Sequence, residues 1–195
     1  MKRRIVGMAL AAAAALAGCN SDATSFTPID PGSLAFSYEG ARTGTYAANG
    51  SFTASNGNAV QALPFAAGVR ISDPVAGRII GIIAYLPITS TTGHQVTLLL
   101  PETAAGQTLT LTETCPGTTF CPGGLLAYDV NLAVPSQEPD TFVFTSGTLT
   151  ITSLADGRMA GTFSGVAADS ADVRAVTVTD GTFDVPLVDE SRLGQ

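Results

Sequence analysis

Residues 147–163 read GTLTITSLADGRMAGTF, and this stretch decides the fold class. Apolar and hydroxyl side chains alternate over residues 149–152, which is the period of a β-strand with one buried face. The dipeptide Asp156-Gly157 follows, and it favours the tight turn of a β-hairpin. The alternation resumes beyond that turn and ends in Phe163. The stretch therefore predicts an antiparallel hairpin with one buried face.

Two other stretches agree with this prediction. Residues 79–86, IIGIIAYL, are nearly all apolar and contain four isoleucines and a glycine before Pro87. Because β-branched residues and glycine disfavour a helix, this stretch predicts a central strand with both faces covered. Residues 176–185, VTVTDGTFDV, predict a second hairpin or a bulged strand that ends the domain.

Similar short runs recur from Leu34 onward between Gly, Pro, Asn and Asp residues, and no stretch has helical spacing. We therefore predict an all-β fold, either a two-layer antiparallel β-sandwich or a partly closed β-barrel, as a single domain over residues 34–188. The predicted strands are 34–39, 43–47, 51–54, 68–72, 78–86, 95–100, 108–113, 125–132, 141–145, 147–154, 158–164, 175–179 and 182–185.

The N-terminus has the layout of a secretory signal peptide over residues 1–18. Three basic residues precede an apolar run over residues 5–15. That run forms a helix of about 16 Å, against a hydrocarbon core of roughly 30 Å, so it is too short to span a bilayer. Residues 16–19, LAGC, resemble the bacterial lipobox, which implies a diacylglycerol on Cys19. The alternative is an ordinary signal peptide with a chance cysteine at this position.

Removal of the signal peptide leaves six arginines, no lysine and 16 acidic residues, a net charge of −10. Such a chain offers no basic face for phosphates, so nucleic acid is excluded as a partner and attachment to membranes must come from the acyl chains on Cys19. Residues 19–33 are polar and contain two prolines, which predicts a flexible tether. Residues 189–195 predict a frayed tail.

The lipobox also implies a location in the cell envelope. Asn20 stands where an aspartate would, in enteric bacteria, favour the inner membrane. The resemblance therefore implies the outer membrane of a Gram-negative bacterium, and it leaves open whether the domain faces the periplasm or the cell surface.

Cys115 and Cys121 are the other two cysteines, and we predict a disulfide between them, as expected for an exported protein. The closed loop is short, so the bond contributes about 2 kcal/mol and fixes a local loop only. A zinc site would need further ligands, and His94 is the only histidine. We therefore predict no metal site and no cofactor.

The sequence contains no complete catalytic motif. His94 follows Gly93 before a predicted strand, and we interpret it as a surface or turn residue. Residues 161–165, GTFSG, place the serine one position late for a nucleophile elbow. Most acidic residues fall in predicted turns, among them Asp140, and residues 169–172 predict a solvated loop more readily than a calcium site. We predict no catalytic residue, although carboxylates that converge in the fold could still form an acid-base pair.

Residues 147–152, 156–163 and 176–183, together with the lipobox, resemble uncharacterised bacterial lipoproteins that join a polar tether to a β-rich domain. That family has no assigned catalytic residues. The resemblance implies a lipid-anchored envelope domain that binds an envelope protein or a small ligand without catalysis. A carboxylate-dependent hydrolase and a carrier of a small apolar ligand remain as alternatives.

Overall fold

Ten β-strands and no helix make up the described part of the chain. The computed structural model describes residues 30–51, 63–73, 77–113, 120–131, 133–134, 137–170 and 173–189. The signal peptide, Cys19, Cys115 and nearly all of the predicted tether and tail therefore lie outside the described residues. The strands are β1 (Gly32–Gly40), β2 (Gly44–Gly50), β3 (Phe65–Asp73), β4 (Gly77–Pro87), β5 (Thr92–Pro101), β6 (Thr108–Leu111), β7 (Gly123–Asn131), β8 (Asp140–Ala155), β9 (Arg158–Ala168) and β10 (Ala175–Asp189).

Seven of these strands close into a barrel in the order β3, β4, β5, β7, β8, β9 and β10. The last pairing in the ring joins β10 to β3, and it is parallel, with Leu187 opposite Gly68 and Asp189 opposite Arg70. The other pairings in the ring are antiparallel. The predicted all-β fold is confirmed, with the barrel form closed by one short parallel contact.

The three strands outside the ring are β1, β2 and β6. They extend the sheet along the parts of β10 and β8 that reach beyond β3 and β7, their neighbours in the ring. β10 pairs with the β1–β2 hairpin over residues 176–184 and with β3 only over residues 187–189. In the same way, β8 pairs with β7 over residues 140–143 and with β6 over residues 147–150. Each of these two long strands, β10 and β8, therefore pairs with two different neighbours in succession along its length.

The hairpin predicted around Asp156-Gly157 is present and connects β8 to β9. Both residues have positive φ, 53° and 71°, as the favoured two-residue hairpin turn requires. A predicted break between two strands is absent. Residues 141–145 and 147–154 form one strand, β8, and its pairing with β9 passes a register shift between Phe144 and Ser146 without a turn.

The dipeptide Asp180-Gly181 forms a bulge inside β10 and not a hairpin turn. β9 pairs with residues 175–178 and again with residues 181–186, so the chain keeps its direction through the shift. Asp180 has a φ of 54°, the left-handed conformation that a bulge needs. Of the two possibilities that the sequence left open, the bulged strand is confirmed and the hairpin is wrong. The predicted strand 51–54 lies outside the described residues, apart from Ser51.

Aromatic rings pack against one another in the core. Phe163 lies centrally, with ring centroids 5.7 Å from Phe36, 6.4 Å from Phe144 and 6.5 Å from Phe183. These rings are almost completely buried. Residues 79–85 of β4 are all buried, which confirms a central strand covered on both faces.

The two outer faces of the barrel differ in chemistry. Across β3, β4, β5, β7 and β8, the outward residues in register are apolar or neutral and mostly buried: Ala67, Ile83, Thr97, Leu125 and Val143. Across β6, β8, β9 and β10, they are hydroxyl residues that are half-buried or exposed: Thr108, Thr150, Thr162 and Thr182. The strands of this second face are the ones in which apolar and hydroxyl residues alternate regularly in the sequence.

Candidate functional site

Charged side chains meet at one end of the barrel, where three chain connections come together. The β1–β2 turn contributes Arg42, the end of β7 contributes Asp129, the start of β8 contributes Asp140, and the β9–β10 connection contributes Asp169 and Arg174. We call these five residues the ionic cluster. It brings together residues from well-separated parts of the chain, which makes it the candidate functional site.

Asp140 is the centre of the ionic cluster. Arg42 donates to its Oδ2 from Nε at 3.1 Å and from Nη2 at 2.9 Å, while Arg174 Nη2 donates to its Oδ1 at 2.7 Å. Arg42 Nη2 also donates to Asp129 Oδ2 at 3.1 Å, and Arg174 Nε donates to Asp169 Oδ2 at 2.9 Å. Both oxygens of Asp140 are therefore occupied by guanidinium groups.

These contacts fix the charge states. Hydrogen bonds from Arg174 lower the pKa of Asp140, burial opposes that effect, and hydrogen bonds from Arg42 add to it. Burial alone would lower the pKa of Arg42, but its hydrogen bonds to Asp140 and Asp129 outweigh that and raise it. The Asp140 side chain is 23% exposed, so solvent screens the cluster only in part. Asp140 is consequently held as a carboxylate and is a poor proton donor.

A layer of aromatic rings lies directly beneath the ionic cluster. The Arg42 guanidinium carbon lies 4.6 Å from the ring centroid of Tyr128, and that of Arg174 lies 5.3 Å from the ring centroid of Phe142. The Tyr128 ring also packs against Tyr38, at 5.6 Å, and against Phe142, at 5.8 Å. Both arginines therefore combine ion pairing with cation–π contact, and they close this end of the core.

His94 lies inside β5 and faces this layer, half-buried. Its Nδ1 accepts a hydrogen bond from the backbone N–H of Asp129 at 3.3 Å, and its ring meets Tyr128 edge-on with centroids 5.0 Å apart. Asp129 has a φ of 60°, the left-handed conformation that aims its N–H at the ring. Burial lowers the pKa of His94. The interpretation of His94 as a turn residue is wrong, because it lies within β5. That strand keeps its register with β4, so His94 shares a face with Val96 and Leu98 of the core.

Two tyrosine hydroxyls near this end are buried without a hydrogen-bond partner among the described atoms, those of Tyr85 and Tyr128. Burial raises the pKa of both tyrosines, so both hydroxyls stay neutral at physiological pH. Tyr46 differs, because its hydroxyl donates to the backbone oxygen of His94 at 3.4 Å. An unpaired buried hydroxyl lowers the free energy of unfolding, so removing it should leave that free energy unchanged or raise it.

The other described arginines are also paired with carboxylates. Arg70 and Arg78 lie 3.4 Å and 3.6 Å from the carboxylate of Glu102, and Arg158 lies 2.9 Å from that of Asp184. In the described ranges, then, each arginine has an acidic partner.

The residues that the sequence singled out are dispersed. Cys121 is described just before β7, whereas Cys115 and Cys19 are outside the described residues, so the disulfide and the lipidation stay predictions. Asp140, interpreted as a turn residue, begins β8 and centres the ionic cluster. The cluster was missed because Arg42 is 98 residues from Asp140 along the chain, and no local pattern marks that contact.

Over the described residues, no group of three or more histidine, cysteine or acidic side chains is arranged to hold a metal ion. The same part of the chain contains no helix that could span a membrane.

The chain matches no protein-family model, no curated protein and no solved structure. The resemblance of its lipobox and of residues 147–183 to bacterial lipoproteins therefore stays a prediction.

Proposed function

We propose that this protein is a lipid-anchored domain of the bacterial cell envelope that binds a protein partner through its surface and performs no catalysis. Cys19 carries the anchor, and the barrel is a rigid scaffold for its connections and exposed strand faces. The outer membrane of a Gram-negative bacterium is the proposed location. Attachment rests on the lipobox and on a mature chain without lysine, which leaves acyl chains as the source of membrane affinity.

The observation that carries the non-catalytic part of the proposal is that the charged groups of the ionic cluster are paired with one another. A general acid needs a proton to give near neutral pH, which requires a raised pKa. Asp140 has a lowered pKa because two arginines donate to it. His94 uses Nδ1 to accept the Asp129 N–H, so that nitrogen is not available to a substrate. The cluster is therefore suited to holding three connections together.

The filled core argues against a carrier of a small apolar ligand. Such carriers enclose a cavity lined by apolar side chains. In the described part of the core, the rings around Phe163 contact one another and are almost fully buried. A ligand would have to displace these rings, so a binding surface on the outside is the better proposal.

A carboxylate-dependent hydrolase is the second candidate, because the fold does bring two carboxylates together. Asp129 Oδ2 and Asp140 Oδ2 both accept from Arg42 Nη2, at 3.1 Å and 2.9 Å. Because both oxygens contact one nitrogen, they lie at most about 6 Å apart, a range that includes the roughly 5 to 5.5 Å between the carboxyl groups of retaining glycosidases. If purified protein hydrolyses glycan or ester substrates and Asp129→Asn and Asp140→Asn each abolish turnover while the fold is kept, the hydrolase replaces the binding proposal.

Photo-crosslinking in intact cells tests the binding proposal. Amine-reactive reagents are unsuitable, since the mature chain has no lysine. A photoreactive residue is placed at Ala41 beside the ionic cluster, at Thr162 or Thr182 on the hydroxyl face, and at Ala155 near the far end as a matched exposed control. One partner captured at neighbouring positions and absent at Ala155 supports the proposal. No specific capture at any of the four positions contradicts it.

A further inference from the structure

His94 is the only histidine of the chain, and it connects the core to the ionic cluster. Its ring packs edge-on against Tyr128, and its Nδ1 accepts the N–H of Asp129. Asp129 in turn uses its carboxylate to hold Arg42. One imidazole thus supports, through a single residue, the arginine that closes this end of the barrel.

The hydrogen bond between Asp129 and His94 exists only while Nδ1 is unprotonated. A backbone N–H needs a lone pair as its acceptor, and a neutral imidazole has one such nitrogen, whereas imidazolium has none. Protonation would place two N–H groups against each other at the present separation of 3.3 Å. It would also add a positive charge near Arg42, whose own positive charge already lowers the pKa of His94.

The groups that face His94 come from every element around it. Arg42 belongs to the β1–β2 turn and Asp140 to β8 behind it. The others are Tyr46 of β2, Tyr85 of β4, which lies beside Gly93, and Tyr128 and Asp129 of β7. The Asp129 carboxylate and a hydrogen bond with the Gly93 backbone favour a protonated ring, and the carboxylate is 58% exposed and already paired with Arg42.

We propose that His94 is a pH-responsive lock on the ionic cluster. At neutral pH its ring holds the Asp129 backbone, and Asp129 and Asp140 together hold Arg42 and the β1–β2 turn. On acidification the ring takes up a proton, the Asp129 N–H loses its acceptor, and the Arg42 contact loosens. An envelope domain that faces the outside medium would in this way couple external pH to the shape of its surface at this end.

Asp140, Arg42 and the three tyrosines keep their charge states while His94 changes its own. Asp140 has a lowered pKa and stays a carboxylate in mild acid, and Arg42 has a raised pKa and stays a cation. Tyr46, Tyr85 and Tyr128 have raised pKa values and stay neutral. A structural change at the cluster in mild acid is therefore assigned to the imidazole.

The proposed lock can be tested by nuclear magnetic resonance. The sample is the untagged protein in the form that the cell produces after processing. The single imidazole gives one ring signal, which reports protonation of His94 between pH 8 and 4.5. We expect the Asp129 amide signal to shift with the same midpoint as the ring. Its protection from hydrogen exchange, corrected for intrinsic rates, should fall roughly tenfold on acidification, the order expected for one lost hydrogen bond. An unchanged Asp129 amide, or a ring that does not titrate in this range, overturns the proposal.

Two variants separate a local lock from general acid sensitivity. His94→Gln should leave the Asp129 amide without a pH response over the same range, and a retained response overturns the proposal. Asp184→Asn removes an ion pair with Arg158 at a distance from the cluster and should leave the Asp129 response intact. Loss of the response in that control would show global loosening and would also overturn the lock. If His94→Gln does not fold, the titration of the unmodified protein decides.

Discussion

Arg42 and Asp140 are 98 residues apart in the chain, yet Arg42 donates to one oxygen of Asp140 from two nitrogens, at 3.1 Å and 2.9 Å. The contact joins the β1–β2 turn to the start of β8. Arg174 takes the other oxygen of the same carboxylate. One half-buried aspartate therefore connects three loops that are separate in sequence.

Replacing Asp140 with asparagine should lower the free energy of unfolding by about 1 to 2 kcal/mol, because two arginines lose a charged acceptor. Urea denaturation at pH 7 measures the loss. Asp184→Asn is the matched control, since Asp184 is 55% exposed and its pair with Arg158 should contribute less than about 1 kcal/mol. Equal effects of the two substitutions would contradict the central role of Asp140.

Stability should fall in mild acid because of His94. Its pKa is lowered from 6.5 in the folded state, so the unfolded chain binds the proton more readily. The contribution is fully present above about pH 6.5 and is lost as pH falls through the folded-state pKa. Urea midpoints between pH 7.5 and 5 measure the effect, and His94→Gln should flatten the curve over this range. A curve of the same slope in the variant would assign the effect to other groups.

A separate acid transition should follow from Asp140. Its pKa is lowered below 3.8, so its contribution to stability is present above that pH and is lost in stronger acid. Asp140→Asn should remove this component and leave the His94 component in place. The same pH series of urea midpoints, extended to pH 2.5, distinguishes the two.

Tyr128→Phe removes a buried hydroxyl that has no described partner and keeps the ring beneath Arg42. We expect unfolding free energy to stay level or rise by up to about 1 kcal/mol. Tyr128→Ala, which also removes the ring, should cost about 3 to 5 kcal/mol. Thermal and urea unfolding of the pair compares them. A clear loss in Tyr128→Phe would mean that the hydroxyl is hydrogen-bonded in solution.

Membrane attachment should depend on Cys19. The substitution Cys19→Ser removes the thiol that the lipobox prediction assigns to the lipid, so the protein should move from the membrane fraction to the soluble fraction of lysed cells. Cys121→Ser serves as the control, since it leaves the lipobox intact. Continued retention of Cys19→Ser in membranes would contradict the lipobox prediction.

The sequence was informative wherever structure depends on neighbouring residues. Alternation with period two predicted the strands of the hydroxyl face, and the continuous apolar run predicted that β4 is covered on both sides. Asp156-Gly157 predicted its turn because both residues tolerate positive φ. Asp180-Gly181 has the same composition but forms a bulge. The dipeptide alone does not distinguish the two outcomes, which depend on whether the neighbouring strand continues past it.

Sequence by itself determined the strand pattern, the coverage of β4 on both faces and the alternation of apolar and hydroxyl residues, since each depends on residues adjacent in the chain. Tertiary structure decided how the barrel closes and what its end contains. The parallel contact of β10 with β3 and the grouping of Arg42, Asp140 and Arg174 both join distant parts of the chain. Such contacts depend on register and strand order, which local propensities do not encode.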